Sequence, residues 1–304
     1  MPAARKNRNR PLSSLGEFGL IERIRKIAGN KDVVLGIGDD CAVVAHSKRE
    51  YGLITTDMLL EDVHFKRAMP PAVIGYKALA CSISDIAAMG GIPQYAIVSL
   101  GVPGTLKEDF VIKIYQGMKK LADKFRVRIV GGDTVKSGKI IINVALWGKV
   151  EKNKLVTRCG ARKGDAIFVT GPLGRSYQTG YHARFMPRIK EARWLVQNCR
   201  PNSMIDISDG LSSDLGHILE ESKVGADIYE KNIPRRNNAM IDEALNDGED
   251  FELLFTVAAT KESLLRKSPF KFYKIGEITK QKGLRLIKNN GKKLILTAKG
   301  YRHF

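Results

Sequence analysis

The stretch LGIGDDCAVV, residues 35–44, places two adjacent aspartates inside an apolar run, directly after a Gly-x-Gly. Two like charges at this point fit three interpretations: a hairpin turn, a dinucleotide-binding fingerprint or a metal site. The fingerprint requires Gly or Ala where this chain has Cys41, and it tolerates bare carboxylates poorly beside a pyrophosphate. A turn and a metal site therefore stay open for Asp39 and Asp40.

Further carboxylates recur where apolar runs end, and each of these is by itself most often a turn residue or a helix cap. Asp85 differs because it lies in an apolar helical pattern, where an ionised carboxylate is costly to desolvate unless a cation or donors meet it. Clustered carboxylates repel one another unless a divalent cation neutralises them. Hard oxygen ligands with Thr hydroxyls nearby favour Mg²⁺ completed by phosphate oxygens, so the sequence predicts a Mg²⁺-phosphate site. The carboxylates are Asp39, Asp40, Asp57, Asp85, Asp133, Asp206 and Asp209.

Composition indicates an ordinary globular protein. The 304 residues are 43% hydrophobic and 27% charged, and this length favours two domains of roughly 150 residues. The four cysteines are widely separated, which suits a reducing cytoplasm, and no apolar run approaches the roughly 18 residues of a membrane span. The net charge of +19 comes without aromatic interleaving or a zinc-finger spacing, so a solvated surface or a field for anionic substrates is favoured over nucleic-acid binding.

The pattern of apolar residues predicts an α+β organisation. Residues 1–14 are predicted to be a basic disordered arm, 15–150 an N-terminal domain and 151–304 a C-terminal domain. Helices are predicted at 15–27, 74–89, 108–125, about 188–198 and about 212–222. Strands are predicted at 33–37, 53–56, 95–102, 128–130, 140–150, 166–170, 205–207, near 251–257 and near 273–278.

Common catalytic and phosphate-binding motifs are absent from the sequence. There is no GxxxxGK[ST] loop, and no HRD or DFG of a protein kinase. No Ser-His-acid or Cys-His arrangement is evident among only five histidines. A phosphate-handling site in this chain therefore rests on an uncommon scaffold.

An ordered series of motifs resembles the thiamine-monophosphate kinase family, of the superfamily that includes aminoimidazole ribonucleotide synthetase, selenophosphate synthetase and a hydrogenase-maturation dehydratase. Single motifs are weakly specific, but the ordered series covers almost the whole chain. The motifs are GEFGLIERI (16–24), VVLGIGDDCAVV (33–44), TTDMLLEDVHF (55–65), GYKALACSISDIAAMGGIP (75–93), GGDT (131–134), RCGARKGDAIFVTGPLG (158–174), DISDGLSSDLGHI (206–218), GEDFELLF (248–255) and GYRHF (300–304).

The resemblance implies phosphorylation of thiamine monophosphate to thiamine diphosphate, with ATP as co-substrate and Mg²⁺ as cofactor. It also implies a homodimer with the two-domain aminoimidazole ribonucleotide synthetase-like fold. In that fold the N-terminal half binds ATP and Mg²⁺ and contributes strands to a barrel that spans the dimer, and the C-terminal half is α+β. The acceptor nucleophile in this reaction is a phosphate oxygen, already anionic near neutral pH, so the absence of a Ser or Cys nucleophile and of a strong base agrees with it.

The resemblance also carries roles over to individual residues. The implied metal ligands are Asp40, Thr55, Thr56, Asp57, Asp85, Asp133, Asp206 and Asp209. The implied ATP contacts are Tyr115, Gly132, Asp133, Arg158 and Ser208. The implied substrate contacts are His64, Glu249 and Tyr301.

Some positions depart from the family pattern. The segment from Gly174 to Asp206 is shorter than usual, Asp62 replaces a small residue, and Val135-Lys136 follows GGDT where Thr-Arg is common. The alternatives are another ATP-using member of the superfamily with a different small substrate, or an inactive basic binding protein. These departures bear on the identity of the substrate rather than on the phosphoryl-transfer chemistry.

Overall fold

The computed structural model describes residues 11–29, 31–297 and 299–301. Residues 1–10 of the predicted basic arm, and the last three residues of the motif at 300–304, lie outside this described part. Leu12–Ser14 forms one turn of 3₁₀ helix, and helix α1 follows at Glu17–Ala28. Among the described residues, no helix has both the length and the apolar character that a membrane span requires.

The first half of the chain forms a five-stranded sheet covered by two long helices. Its elements are β1 (Ala42–Ala45), β2 (Glu50–Leu60), α2 (Pro71–Ala88), β3 (Ile92–Val102), α3 (Glu108–Phe125), β4 (Arg128–Lys136) and β5 (Ile141–Glu151). The strand order is β1-β2-β5-β3-β4, with β3 and β4 parallel and the other neighbours antiparallel. Residues of β5 alternate between buried and half-buried, as a sheet with one covered face requires. The apolar, small-residue helix α2 supplies that cover.

The second half forms a seven-stranded mixed sheet in the order β12-β11-β8-β10-β6-β9-β7. Its elements are β6 (Asp165–Val169), α4 (Ile189–Asn198), β7 (Ser203–Asp206), α5 (Leu211–Ser222), β8 (Gly225–Tyr229), α6 (Ile241–Asn246), β9 (Leu253–Ala258), α7 (Glu262–Leu265), β10 (Tyr273–Thr279), β11 (Gly283–Ile287) and β12 (Lys293–Leu296). Strands β6, β9 and β7, which end the sheet on one side, are buried on both faces, and α2 of the first half packs against the edge strand β7. Within the described residues of one chain, neither sheet closes into a barrel.

The outer face of the first sheet, on the side away from α2, is apolar and open to solvent. Each of its large side chains keeps more than a third of its surface exposed, and the edge strand β4 is exposed along almost its whole length. A face of this kind normally marks a contact with another surface. These side chains, the outer-face residues, are Ile54, Met58, Tyr95, Ile97, Val130 and Val135.

Most predicted elements are confirmed within a few residues, including α1, α2, α3, α4 and α5. The predicted strand at 33–37 is wrong: only Leu35 forms a bridge, to Val43. Asp32 and Gly38 adopt positive φ, and this breaks an extended run on both sides of the bridge. The short elements β1, β8, β11, β12, α6 and α7 are not predicted, because pairing with other strands or packing defines them rather than a local pattern. Asp57 and Asp133 lie inside β2 and β4, not at strand ends.

Candidate active site

Three carboxylates from separate parts of the chain converge between the two halves. Asp40 precedes β1, Asp85 lies in the last turn of α2, and Asp206 ends β7. One oxygen of each lies within 4.8 Å of the others. Helix α2 packs against β2 of the first sheet and against β7 of the second, so it aligns carboxylates from both halves. We call Asp40, Asp85 and Asp206 the carboxylate cluster.

Hydroxyl groups orient the carboxylates from two sides. On β2, Thr55 donates a hydrogen bond to Asp85 through Oγ1. On α2, Ser82 donates to Asp57 Oδ2 at 2.7 Å, and Ser84 donates to Asp206 Oδ2 at 2.6 Å. Asp57 therefore joins the edge of the cluster, on the same side of β2 as Thr55. The structure thus brings four of the predicted acidic ligands close together beside the Thr55 hydroxyl.

The adjacent pair Asp39-Asp40 is held by Arg158 from the loop between the two sheets. The guanidinium donates to Asp40 Oδ1 at 2.6 Å, and the backbone N–H of Arg158 donates to Asp39 Oδ2 at 3.0 Å. The second oxygen of Asp40, Oδ2, is buried and has no hydrogen-bond partner among the described residues. Asp39 thus orients its neighbour and Arg158, whereas Asp40 points an unsatisfied oxygen into the cluster.

Burial and mutual repulsion raise the pKa values of these acids. Desolvation, followed by the charge of Asp40, raises the pKa of Asp39 to about 7 and that of Asp206 to about 8. Desolvation and the charges of Asp57 and Asp206 raise the pKa of Asp85 well above its ordinary value. A divalent cation would reverse this by favouring the ionised forms. The donor set is entirely oxygen, and with the unsatisfied Asp40 Oδ2 it fits Mg²⁺.

A cavity of about 370 Å³ adjoins the carboxylate cluster, and we call it the acceptor cavity. It brings together His64, Glu249 and Tyr301, which are more than 50 residues apart from one another in sequence. Asp57 lies at its cluster end, and Tyr177 contributes to its wall. The three residues that the sequence assigned to substrate binding therefore line one space.

Polar contacts in the acceptor cavity set the tautomer of His64 and the position of the Glu249 carboxylate. The backbone N–H of Leu60 donates to His64 Nδ1 at 3.0 Å, so the proton of this imidazole is on Nε2, which is then a donor. Lys77 is fully buried, and its ammonium donates to the Glu249 carboxylate and, at 2.7 Å, to the backbone oxygen of His64. One buried cation thus contacts both of these predicted substrate-binding residues.

Backbone contacts hold the C-terminal parts of the acceptor cavity in place. The N–H of Glu249 donates to the Ser208 oxygen at 2.7 Å, and the N–H of Tyr301 donates to the Asp209 oxygen at 3.1 Å. Gly248 has a φ of +71°, and a Cβ there would lie 2.7 Å from the Ser208 oxygen. Only glycine lets this loop approach the β7–α5 turn so closely.

A second cavity, of about 720 Å³, lies between α1 and α5, and we call it the donor cavity. Arg158 and Ser208, two of the predicted ATP contacts, line it. Ser208 and Asp209 also line the acceptor cavity, so the β7–α5 turn is a wall shared by the two spaces. Two substrates in these cavities would meet beside the carboxylate cluster.

Asp209 belongs to a second acidic group beside the donor cavity. One ligand atom each from Asp209, Asp214 and His217 lies within 4.8 Å of the others. Asp214 also accepts the N–H of Gly210 at 3.0 Å, and burial lowers the pKa of His217 to about 4. The predicted metal role of Asp209 concerns this group and not the carboxylate cluster.

Two predicted metal ligands are not brought to the cluster. The side chain of Thr56 lies on the outer face of the first sheet and donates to Asn143 Oδ1 at 3.0 Å. Asp133 is exposed on β4 and in register with Ser99, three strands away from β2. The pleat explains the position of Thr56, because consecutive residues of a strand take opposite faces, whereas the strand order places Asp133 at the far edge of the sheet.

Three predicted ATP contacts lie away from the donor cavity, and Asp133 is one of them. Gly132 precedes Asp133 on β4, and a Cβ there would lie 1.8 Å from the backbone oxygen of Val98. Tyr115 is half-buried on α3 and packs against the core of the first half. Within one chain, then, two of the five predicted ATP contacts line the donor cavity, and Gly132, Asp133 and Tyr115 do not.

Several positioning residues are not among the sequence predictions. They are Lys77, Ser82, Ser84 and Asp214. A buried lysine in an apolar helical pattern carries the same signal as Asp85, and it was open to the same desolvation argument. The serines carry no such signal, because small hydroxyl residues are common in helices with small-residue packing.

Comparisons with known proteins match both halves of the chain. The family AIR synthase related protein matches through its N-terminal domain at residues 38–150 and its C-terminal domain at residues 170–289. Thiamine-monophosphate kinase from Buchnera aphidicola subsp. Schizaphis graminum is 37% identical, over 95% of this chain and 98% of that protein. The enzyme of that name from Bacillus subtilis is 35% identical, over 95% of this chain and 100% of that protein. The solved structure of AaThiL complexed with AMPPCP and TMP has a TM-score of 0.87 at 34% identity, over 98% of this chain and 100% of that one.

Proposed function

Because this chain belongs to the thiamine-monophosphate kinase family, we propose that it transfers the terminal phosphoryl group of ATP to thiamine monophosphate where its two cavities meet. The chain is a phosphotransferase with the two-domain fold of this family. The observation that carries the proposal is the wall formed by Ser208 and Asp209, which both cavities share next to the carboxylate cluster. ATP occupies the donor cavity, and thiamine monophosphate occupies the acceptor cavity.

The residues of each cavity suit the substrate assigned to it. In the donor cavity, the Arg158 cation and the Ser208 hydroxyl suit a polyphosphate. In the acceptor cavity, His64 presents an Nε2–H donor, and Glu249 presents a carboxylate that accepts hydrogen bonds from an aminopyrimidine. Since the attacking group is already an anionic phosphate oxygen, the chain's contribution is orientation and charge neutralisation rather than a general base.

Mg²⁺ is the cofactor in this proposal. Asp40, Asp57, Asp85 and Asp206 would hold it, with the Thr55 hydroxyl beside Asp85. The ion would supply charge neutralisation between two polyanions and alignment of the transferred group. Support comes from the raised pKa values of Asp85 and Asp206, since a protein gains nothing by burying these acids together without a cation.

A second copy of the chain covers the outer face of the first sheet. The outer-face residues support a homodimer, because their apolar side chains are open to solvent on one chain. Thr56 and Asp133 lie on that same face, so dimerisation changes the surroundings of both predicted metal ligands. In this proposal the two sheets together form the barrel expected of the family. A cytoplasmic location accords with four free cysteines, three of them buried.

The test is direct product analysis. Purified protein is incubated with ATP, Mg²⁺ and thiamine monophosphate, and thiamine diphosphate and ADP are resolved by chromatography. We expect both products in equal amounts and none when EDTA replaces Mg²⁺. Release of ADP without thiamine diphosphate would point to a different acceptor within the superfamily. Salt-sensitive nucleic-acid binding without ATP turnover would instead favour a basic binding protein.

A further inference from the structure

A short segment, residues 175–183, contributes one side chain to the wall of the acceptor cavity, that of Tyr177. The Tyr177 ring lines the cavity and keeps 55% of its surface exposed. None of the roles assigned above involves this segment. An exposed aromatic ring beside a substrate space is a ready contact surface, provided that the backbone holds it still.

Hydrogen bonds hold the segment rigidly against the substrate-binding loop. Ser176 Oγ donates to the Glu249 backbone oxygen at 2.6 Å, so the segment is tied to the loop that carries Glu249. Thr179 Oγ1 donates to the Arg175 oxygen at 2.7 Å, and Arg184 donates to the Thr179 oxygen at 2.8 Å. The position of Tyr177 is therefore coupled to that of Glu249.

The Tyr177 ring is backed by a buried imidazole. Its centroid lies 4.7 Å from that of His182, and the two planes are 28° apart. His182 is only 3% exposed, and its Nδ1 lies 3.2 Å from the Ser176 oxygen. Burial, together with the charge of Lys77, lowers the pKa of His182, so the imidazole is neutral near pH 7. A neutral backing leaves the outer face of Tyr177 able to accept a cation without repulsion.

The chemistry of the acceptor cavity fits a flat cation. Two tyrosines, Tyr177 and Tyr301, and the carboxylates Asp247 and Glu249 line it. The Lys77 cation is already paired with Glu249. Thiamine carries a permanently charged thiazolium ring, and aromatic faces attract such cations by cation–π interaction.

We propose that Tyr177 is a specificity-determining residue that stacks its outer face on the thiazolium ring, with His182 as its positioning residue. The inference rests on the function proposed above, and it adds to that function a contact that selects the charged ring of the acceptor. It does not involve the transferred phosphoryl group, so its loss changes acceptor binding and leaves the ATP side unaltered.

Steady-state kinetics of the full chain test the contact. For Tyr177→Ala we expect KM for thiamine monophosphate to rise about tenfold, as for one partly desolvated cation–π contact, with kcat and KM for ATP within about twofold. Tyr177→Phe keeps the aromatic face and should stay within about twofold of the parent chain in all three constants. Tyr229→Ala, on β8 and in neither cavity lining, is the matched tyrosine control.

Calorimetric binding without ATP separates charge recognition from simple packing. The probes are thiamine and 3-deazathiamine, in which carbon replaces the charged ring nitrogen. We expect the parent chain and Tyr177→Phe to prefer thiamine about fivefold or more, and Tyr177→Ala to lose most of that preference. His182→Leu should lose part of it, because the backing of the ring is altered.

Equal weakening of both probes in Tyr177→Ala, or unchanged binding, would overturn the inference. The proposed function fails differently: the parent chain would then yield no thiamine diphosphate in the product assay. Because the binding comparison needs no turnover, it decides the role of Tyr177 either way.

Discussion

The two faces of the first sheet differ in chemistry and in exposure to solvent. Strand β2 carries Thr55, Thr56 and Asp57 in succession, and the pleat sends the first and third toward α2 and the second to the opposite side. The inner face gathers buried carboxylates with raised pKa values, whereas the outer face gathers apolar side chains that are open to solvent. Strand β2 thus contributes to two surfaces of opposite chemistry.

The buried acids and the exposed apolar residues each indicate a different kind of binding partner. Buried acids with raised pKa values are what a cation would stabilise, and a row of exposed apolar residues is what a second surface would cover. Both features cost stability in the isolated chain, and binding of a cation or of a second chain would reduce that cost. The following changes test the two faces separately, in order of decreasing effect.

The largest effect is expected at the inner face for Asp85→Asn. Removing a central ligand of the proposed Mg²⁺ site should lower kcat by about 10³-fold, since metal charge stabilisation is worth several kcal/mol. The same change should raise the free energy of unfolding in EDTA by about 1 kcal/mol, because an amide avoids desolvating a charge. Product assays and urea denaturation measure the two quantities.

Asp123→Asn is the control for this pair of measurements, because Asp123 is an exposed carboxylate on α3. It should change neither quantity appreciably. Full activity of Asp85→Asn would refute the role assigned to the carboxylate cluster.

The outer face is tested by Ile97→Glu. A carboxylate in the middle of the proposed dimer interface leaves an unpaired buried charge, which should abolish dimerisation and lower activity by about 10²-fold. Sedimentation equilibrium reports the oligomeric state. Ile295→Glu, on β12 of the second sheet and 81% exposed, should leave both assembly and activity unchanged. A stable Ile97→Glu dimer would place the interface elsewhere.

Lys77→Met tests the positioning of the acceptor cavity. This change removes the cation that pairs with the Glu249 carboxylate, so it should lower the free energy of unfolding by about 2 kcal/mol. We expect less than the full cost of a buried unpaired charge, because the Glu249 side chain keeps 28% exposure. Urea denaturation measures the loss, together with a rise in KM for thiamine monophosphate.

The double variant Lys77→Met/Glu249→Gln completes a mutant cycle. It should recover part of the stability lost in Lys77→Met, since a neutral amide leaves no stranded charge. If the two losses simply add, the ion pair has no energetic role.

The smallest effect is the pH dependence of stability in EDTA. The folded chain keeps protons on Asp39 and Asp206 up to about pH 7 and 8, whereas the unfolded chain releases them near the ordinary value of 3.8. The unfolded state therefore binds fewer protons in this interval, and stability falls as pH rises from about 4 to about 8. The melting temperature in EDTA should therefore fall steadily across this interval.

Added Mg²⁺ should raise the melting temperature more at pH 8 than at pH 5, because it binds the ionised carboxylates. Asp206→Asn should flatten the decline seen in EDTA. A melting temperature that does not change with pH in EDTA would show that the acids of the inner face ionise normally.

Much of this could be predicted from the sequence. The apolar periodicity predicts the long helices, and the desolvation argument at Asp85 predicts a cation site. The motif series assigned His64, Glu249 and Tyr301 to one substrate, and the structure brings these three residues to one cavity. Each of these inferences depends on local pattern or residue chemistry, which the sequence carries directly.

Tertiary structure alone decided the rest. It separated Thr56 and Asp133 from the carboxylate cluster, and it paired Lys77 with Glu249 across 172 residues. It also stacked Tyr177 on His182 beside the acceptor cavity. The physical reason is common to these cases: the side of a strand that a residue takes, and the distant partner that it meets, are fixed by register and packing. Long-range contacts set both, and no short stretch of sequence contains them.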